Sequence, residues 1–183
     1  MQRIKMGAAV LAAVVLSACG GGDDGSSGSS GGGGGATDPV TVGPTQGVDG
    51  LVGEWVQSLC VRLNGKGNRQ FIRVTKTGDL SLTFSRGVLQ YAATDCSGTG
   101  TPVDTPTSMG DVRFSRSDAT ATLAANWGLW TYVNGQDYTI WAKKGETTVC
   151  LIGDINPSAL PTAAQVEGYA DLNIQASGCY VKP

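Results

Sequence analysis

Between Leu51 and Asp154 the chain sets apolar against polar residues in short alternating runs. Leu80, Leu82 and Phe84 alternate with Asp79, Ser81, Thr83 and Ser85, the two-residue period of a strand with one buried face. Leu89, Tyr91 and Ala93 repeat the pattern, and Val112 and Phe114 carry it on between Asp111, Arg113 and Ser115. Turn signals stand between such runs: Lys76-Thr77-Gly78-Asp79, Arg86-Gly87, Asn134-Gly135 and Lys144-Gly145. Asn-Gly is the strongest short hairpin signal, and it joins Leu129–Val133 to Asp137–Lys144. Short strands about ten residues apart predict an antiparallel meander, closed as an up-and-down barrel or folded as a barrel-like sandwich. The pattern changes once. After Pro161, Thr162 and Gln165 have the spacing of a capping box, and Val166, Tyr169 and Ala170 fall on one helical face. An extended piece over Asn173–Val181 follows. The expected class is mainly β: about nine strands, one short C-terminal helix and a final strand.

The first fifty residues read differently. Arg3 and Lys5 precede an uncharged run from Met6 to Ala18, the layout of a secretory signal over residues 1–18. At thirteen residues the run is short of the roughly 20 that span a bilayer. Leu16-Ser17-Ala18-Cys19 resembles the lipobox of bacterial lipoprotein signals. That resemblance implies cleavage before Cys19, lipidation of its sulfur and acylation of its new amino group. Acyl chains bind membrane through about 0.8 kcal/mol per buried methylene. Gly20 behind the lipidated cysteine, where an aspartate would retain the protein in the inner membrane, implies the outer membrane of a Gram-negative envelope. Residues 19–50 are rich in glycine and serine, a flexible tether with a reach of about 30 Å. No Gly-Lys-Ser/Thr follows the glycines, so they are not a phosphate loop.

The remaining stretch, 51–183, holds all four Trp, all five Tyr and all three Phe, enough for one domain with a core. Without Arg3 and Lys5 the formal charge moves from −2 to −4. The basic residues are scattered, which argues against a nucleic-acid partner. Cys60, Cys96, Cys150 and Cys179 are an even set in an exported domain and read as two disulfides. Four cysteines allow three connectivities. The expected one is Cys60–Cys96 with Cys150–Cys179, the nearer pairs, each fastening one end of the meander to its body. No close Cys pair suggests a metal, and neither metal nor cofactor is expected.

Gly53-Glu54-Trp55 at the first strand resembles the Gly-x-Trp signature of lipocalins and related calycin barrels, and the helix followed by a strand matches their C-terminal layout. Asp137-Tyr138 resembles part of a second lipocalin motif, with Gln136 in place of threonine. The arginine that packs over the signature tryptophan in that family has no evident counterpart. The resemblance implies that Trp55 closes one end of a barrel and is structural.

Catalytic chemistry has little to stand on. The chain has no histidine, which removes the commonest general base and the Ser-His and Cys-His pairs, and no Gly-x-Ser-x-Gly elbow occurs. Glu54, Asp95, Asp154 and Glu167 could in principle serve two-carboxylate hydrolysis, but nothing in the pattern pairs them. No enzyme is expected. The aromatic segment Asn126–Lys144 is the most distinctive composition. It reads as core filling or as a binding surface, with Tyr138, Trp130 and Tyr132 as ligand candidates. Alternation puts Tyr138, Ile140 and Ala142 on one face, read as inward. Trp141 lies with Thr139 and Lys143 on the other, read as a partner surface. Ser97–Gly110 carries no strand or helix signal and could be a lid, a partner loop or slack. The expected function is a lipid-anchored envelope protein whose barrel binds a small apolar ligand or envelope component. A packed interaction lipoprotein docking to another envelope protein is the alternative, and a carboxylate hydrolase the third reading.

Overall fold

Ten strands and one helix occupy residues 48–183, the part of the chain that the computed structural model describes. The expected signal segment, Cys19 and nearly all of the expected tether lie outside those residues. The chain enters through a 3-10 turn, Val48–Leu51, whose Val48 and Leu51 are buried; the folded body therefore begins three residues before the expected boundary. Strands β1 (Gly53–Gln57), β2 (Val61–Leu63), β3 (Lys66–Gly78), β4 (Ser81–Tyr91), β5 (Thr101–Pro102), β6 (Thr107–Ala119), β7 (Leu123–Tyr132), β8 (Gly135–Lys144) and β9 (Thr148–Ile152) precede helix α1 (Ala163–Gln175), and β10 (Tyr180–Val181) follows it.

All pairings are antiparallel. Eight strands close a ring in the order β1, β3, β4, β6, β7, β8, β9, β10 and back to β1. The expected class is therefore met by the closed barrel, which leaves no free sheet edge around its circumference. The hairpin of β3 and β4 is longer than the barrel wall. Its far half is flanked by β2, paired with Lys66–Asn68, and by β5, paired with Leu89 and Gln90.

Arg86-Gly87, expected as a turn, lies inside β4. Gly87 continues the strand because the Phe71 ring occupies the space of its missing side chain: a Cβ there would sit 2.5 Å from Phe71 Cε1. The stretch Ser97–Gly110, expected to be without strand, carries β5 and the start of β6. It is strapped to the β4 edge through β5 and through the Val103 amide, which donates to Val88 O at 2.9 Å. The hairpin at Asn134-Gly135 forms with Val133 and Asn134 as its two-residue loop, since Tyr132 already pairs with Gly135.

Three apolar bodies stabilise this ring. The interior holds Trp55, Ile72, Val74, Leu82, Phe84, Val112, Phe114, Trp141, Val149 and Tyr180, with Val48 and Leu51 plugging one end. Trp55 is fully buried there, its Nε1 donating to Leu51 O at 2.8 Å. Lys182 Nζ lies 4.2 Å from its ring centroid, so a cation does cover this tryptophan, supplied by lysine from just beyond β10. A second body lies outside the barrel, where α1 covers Leu123, Ala125, Trp127, Ile140 and Ala142 with its own Ala163, Val166 and Ala170. A third packs Val56, Phe71, Leu89 and Tyr91 beneath Cys96.

Helix α1 begins as the capping box requires: Thr162 accepts from the Gln165 amide, and the Gln165 side chain accepts from the Thr162 amide. It runs on through Gln175, so the piece expected to be extended begins with the last turn of the helix and passes through a turn, and β10 is only Tyr180–Val181. Tyr169, expected on one helical face with Val166 and Ala170, is 45% exposed while those two are buried. Lys144 reaches from β8 to Asp171 and Glu167 and ties α1 to the barrel. Both disulfides form in the nearest-neighbour connectivity, Cys60–Cys96 with Cα atoms 5.9 Å apart and Cys150–Cys179 at 4.5 Å.

Candidate ligand site at the barrel mouth

The end opposite the Val48–Leu51 plug is open, and a cavity of about 270 Å³ descends into it. Its floor and walls are apolar: Ile72, Phe84, Trp130, Trp141, Leu151 and Tyr180. Trp141 is the keystone. It is 1% exposed, with Phe84 at 5.1 Å and Phe114 at 6.4 Å between ring centroids, both in edge-to-face contact. This corrects the reading of Trp141 as a partner surface. The faces of β8 are inverted relative to expectation: Thr139, Trp141 and Lys143 look into the barrel, while Ile140 and Ala142 look out into the layer beneath α1. Every residue from Thr139 to Lys143 is buried, because the helix covers the outside of the strand. With both faces apolar, alternation carries no sign for which is inside.

The three ligand candidates part company. Trp130 lines the cavity, and its Nε1 donates to Met109 O at 2.6 Å. Tyr132 does not line it; its ring backs Trp130 at 4.8 Å and its hydroxyl donates to Asp137 at 2.8 Å. That bond, helped by partial burial, raises the Tyr132 pKa above the ordinary phenol value. Tyr138 touches the rim but lies on the outward face with Ile140, and is 40% exposed.

Met109 reaches this position through a bulge. Phe84 pairs with Gly110 and Ser85 with Ser108, so Met109 is the extra residue, and bulges re-aim the chain in this way. Gly110 makes the bulge with φ of 100°, and a Cβ there would lie 2.0 Å from Thr131 O. Only glycine fits. No periodic pattern announces this residue, although an isolated glycine ahead of an alternating run is the one available hint.

The rim is charged. Arg86 rises from β4, Asp137 opens β8, and Asp154 follows β9. All three are exposed. Tyr180, at the wall, has its pKa raised by burial, opposed by the positive charge of Arg86. The other carboxylates considered for hydrolysis sit elsewhere and are separately engaged. Glu54 pairs with Arg73 at 3.0 Å, Asp95 accepts from the Ser97 amide, and Glu167 accepts from Thr122 beside Lys144.

The class defined by this geometry is a small closed β-barrel, plugged at one end and hollow at the other. The chain matches no family model, no curated protein and no solved structure at significant similarity.

Proposed function

We propose that this chain is a lipid-anchored protein of the cell envelope whose barrel takes up one small, largely apolar molecule at its open mouth. The observation that carries the reading is the cavity floored by Phe84, Trp130 and Trp141. An eight-stranded ring is just wide enough to be filled by side chains or to hold one small ligand, and here the plugged half is filled and the open half is not. Pockets for drug-sized ligands measure roughly 300–1,000 Å³, whereas an apolar cavity of about 150 Å³ accepts benzene. The occupant is therefore of one or two rings. The anchor rests on the signal layout ending at Cys19.

Toluene added to the full chain should change the tryptophan fluorescence in a saturable way, and Leu151→Trp, which fills the cavity, should abolish that response. Failure of toluene to saturate at millimolar concentration would remove the binding reading. Labelled palmitate should be incorporated by the exporting host and lost in Cys19→Ser; unlipidated wild-type chain free in the periplasm would remove the anchor.

The interaction reading has its own observation. A groove of about 640 Å³ runs between α1 and the segment after β9, edged by Ile155, Leu160, Tyr169 and Leu172. Leu172 is 64% exposed. If the mouth takes no ligand, this groove, not Trp141, is the surface to mutate.

A further inference from the structure

We infer that the ligand of the mouth is an aromatic zwitterion, a molecule with one ring, one carboxylate and one ammonium group, of the aromatic α-amino acid type. The inference rests on the binding reading above and adds the chemistry of the rim. In the closed ring, β9 is the fourth strand from β4 in either direction. Arg86 on β4 and Asp154 just past β9 therefore stand on diametrically opposed walls. An eight-stranded ring at ordinary strand spacing and tilt is about 16 Å across between backbones. Neither residue has an ion pair among the described residues. A cation and an anion thus face one another across an apolar hole without neutralising each other. Asp137 adds a second negative charge on the Asp154 side; one of its oxygens is engaged by Tyr132, and the other accepts from no group among the described residues.

Each part of such a molecule meets its complement. The ring enters the aromatic floor, where Phe84, Trp130 and Trp141 already prefer tilted and edge contacts, the favoured geometry for an added aromatic. The carboxylate meets the planar fork of Arg86, which suits it bidentately. The ammonium meets Asp154 and Asp137. A purely apolar ligand would leave three rim charges unused. A singly charged one would face attraction from one wall and repulsion from the other. The cavity of about 270 Å³ admits one ring with a short polar chain and excludes a long acyl tail.

Calorimetric titration of the full chain with four probes separates the terms: toluene, phenethylamine, 3-phenylpropanoate and phenylalanine. Phenylalanine should bind about two- to fivefold more tightly than either singly charged probe, the range that exposed ion pairs supply. Arg86→Gln should weaken phenylalanine and phenylpropanoate about two- to fivefold and leave phenethylamine unchanged. Asp154→Asn should weaken phenylalanine and phenethylamine and spare phenylpropanoate. Asn tolerates the left-handed backbone, φ of 55° at this position, so the fold is preserved. Equal affinity for all four probes, or a phenethylamine optimum, would overturn the zwitterion while leaving the apolar cavity standing. Absence of toluene binding as well would overturn both.

Discussion

Trp141→Ala is the sharpest perturbation of this architecture, because it separates an interior keystone from a surface residue. The indole is 1% exposed and is held edge-on by Phe84 and Phe114. Truncating a buried tryptophan to alanine removes about 3–5 kcal/mol, and part of that is the edge-to-face geometry, about 0.5–1.5 kcal/mol per aromatic pair. The ring also walls the mouth cavity. The vacancy therefore merges with an open hole instead of becoming a sealed void, which places the loss in the lower half, about 3–4 kcal/mol. For a folded body of this size that corresponds to a fall in Tm of about 10 °C or more. The assay is urea unfolding followed by circular dichroism with both disulfides intact, read from the midpoint at unchanged slope. Tyr138→Ala, on the same strand but facing out, is the control and should shift stability by only about 0.5 kcal/mol. A loss below about 1 kcal/mol for Trp141→Ala, or one no larger than that of Tyr138→Ala, would refute the inward assignment of the β8 faces.

Three further outcomes follow from the helix and the bridges. Replacing Cys150 and Cys179 together by serine should lower stability by about 3.5 kcal/mol in the chain-entropy account of a loop spanning 29 positions. Under native reducing conditions the partly exposed Cys60–Cys96 bridge should open before the buried Cys150–Cys179 bridge, as timed alkylation and peptide mapping would show; the reverse order would contradict the packing of α1 over Cys150. Glu167 is held below the ordinary carboxylate range by the hydroxyls of Thr122 and Thr120 and then by Lys144. A carboxyl depressed by folding contributes stability that is present above its unfolded value and lost as pH falls through its folded one. Thermal melts should therefore drop as pH is lowered from about 5 toward 3, and Glu167→Gln should flatten that slope; an unchanged slope would mean that Glu167 does not tie the helix down.

The strands whose outer face meets water were legible. Leu82 and Phe84, or Val112 and Phe114, face the interior while their neighbours are solvated, so the alternation has a sign. The capping box needed only its own four residues, and the cysteine pairs only their nearness along the chain. What failed was every position where a second layer covers the wall. Thr139–Lys143 is apolar or buried on both faces because α1 lies outside it, and a helix 20 residues downstream leaves no mark on β8 itself. Gly87 read as a turn because its true partner, the Phe71 ring, comes from the neighbouring strand. The site followed the same rule. Trp130 stood out by composition, but Arg86, Asp137 and Asp154 come from three separated segments, and only ring closure sets them around one opening.

The shortness of β10 gives the barrel a seam and an order of assembly. Two residues, Tyr180 and Val181, pair with β1 on one side and β9 on the other. Until they arrive, β1 and β9 are the bare margins of an open, curled sheet, and such margins invite pairing with other chains. The stretch that supplies them lies beyond a loop and the whole of α1, so in a chain made from its N-terminus every other strand is available to pair before it emerges. Docking of α1 and formation of Cys150–Cys179 carry the seam strand to the gap, and Lys182, laid over Trp55 just past it, acts as the clasp. A chain cut between α1 and Tyr180 would thus retain nearly all of its strands and still lack a circumference, leaving it sticky rather than merely weaker.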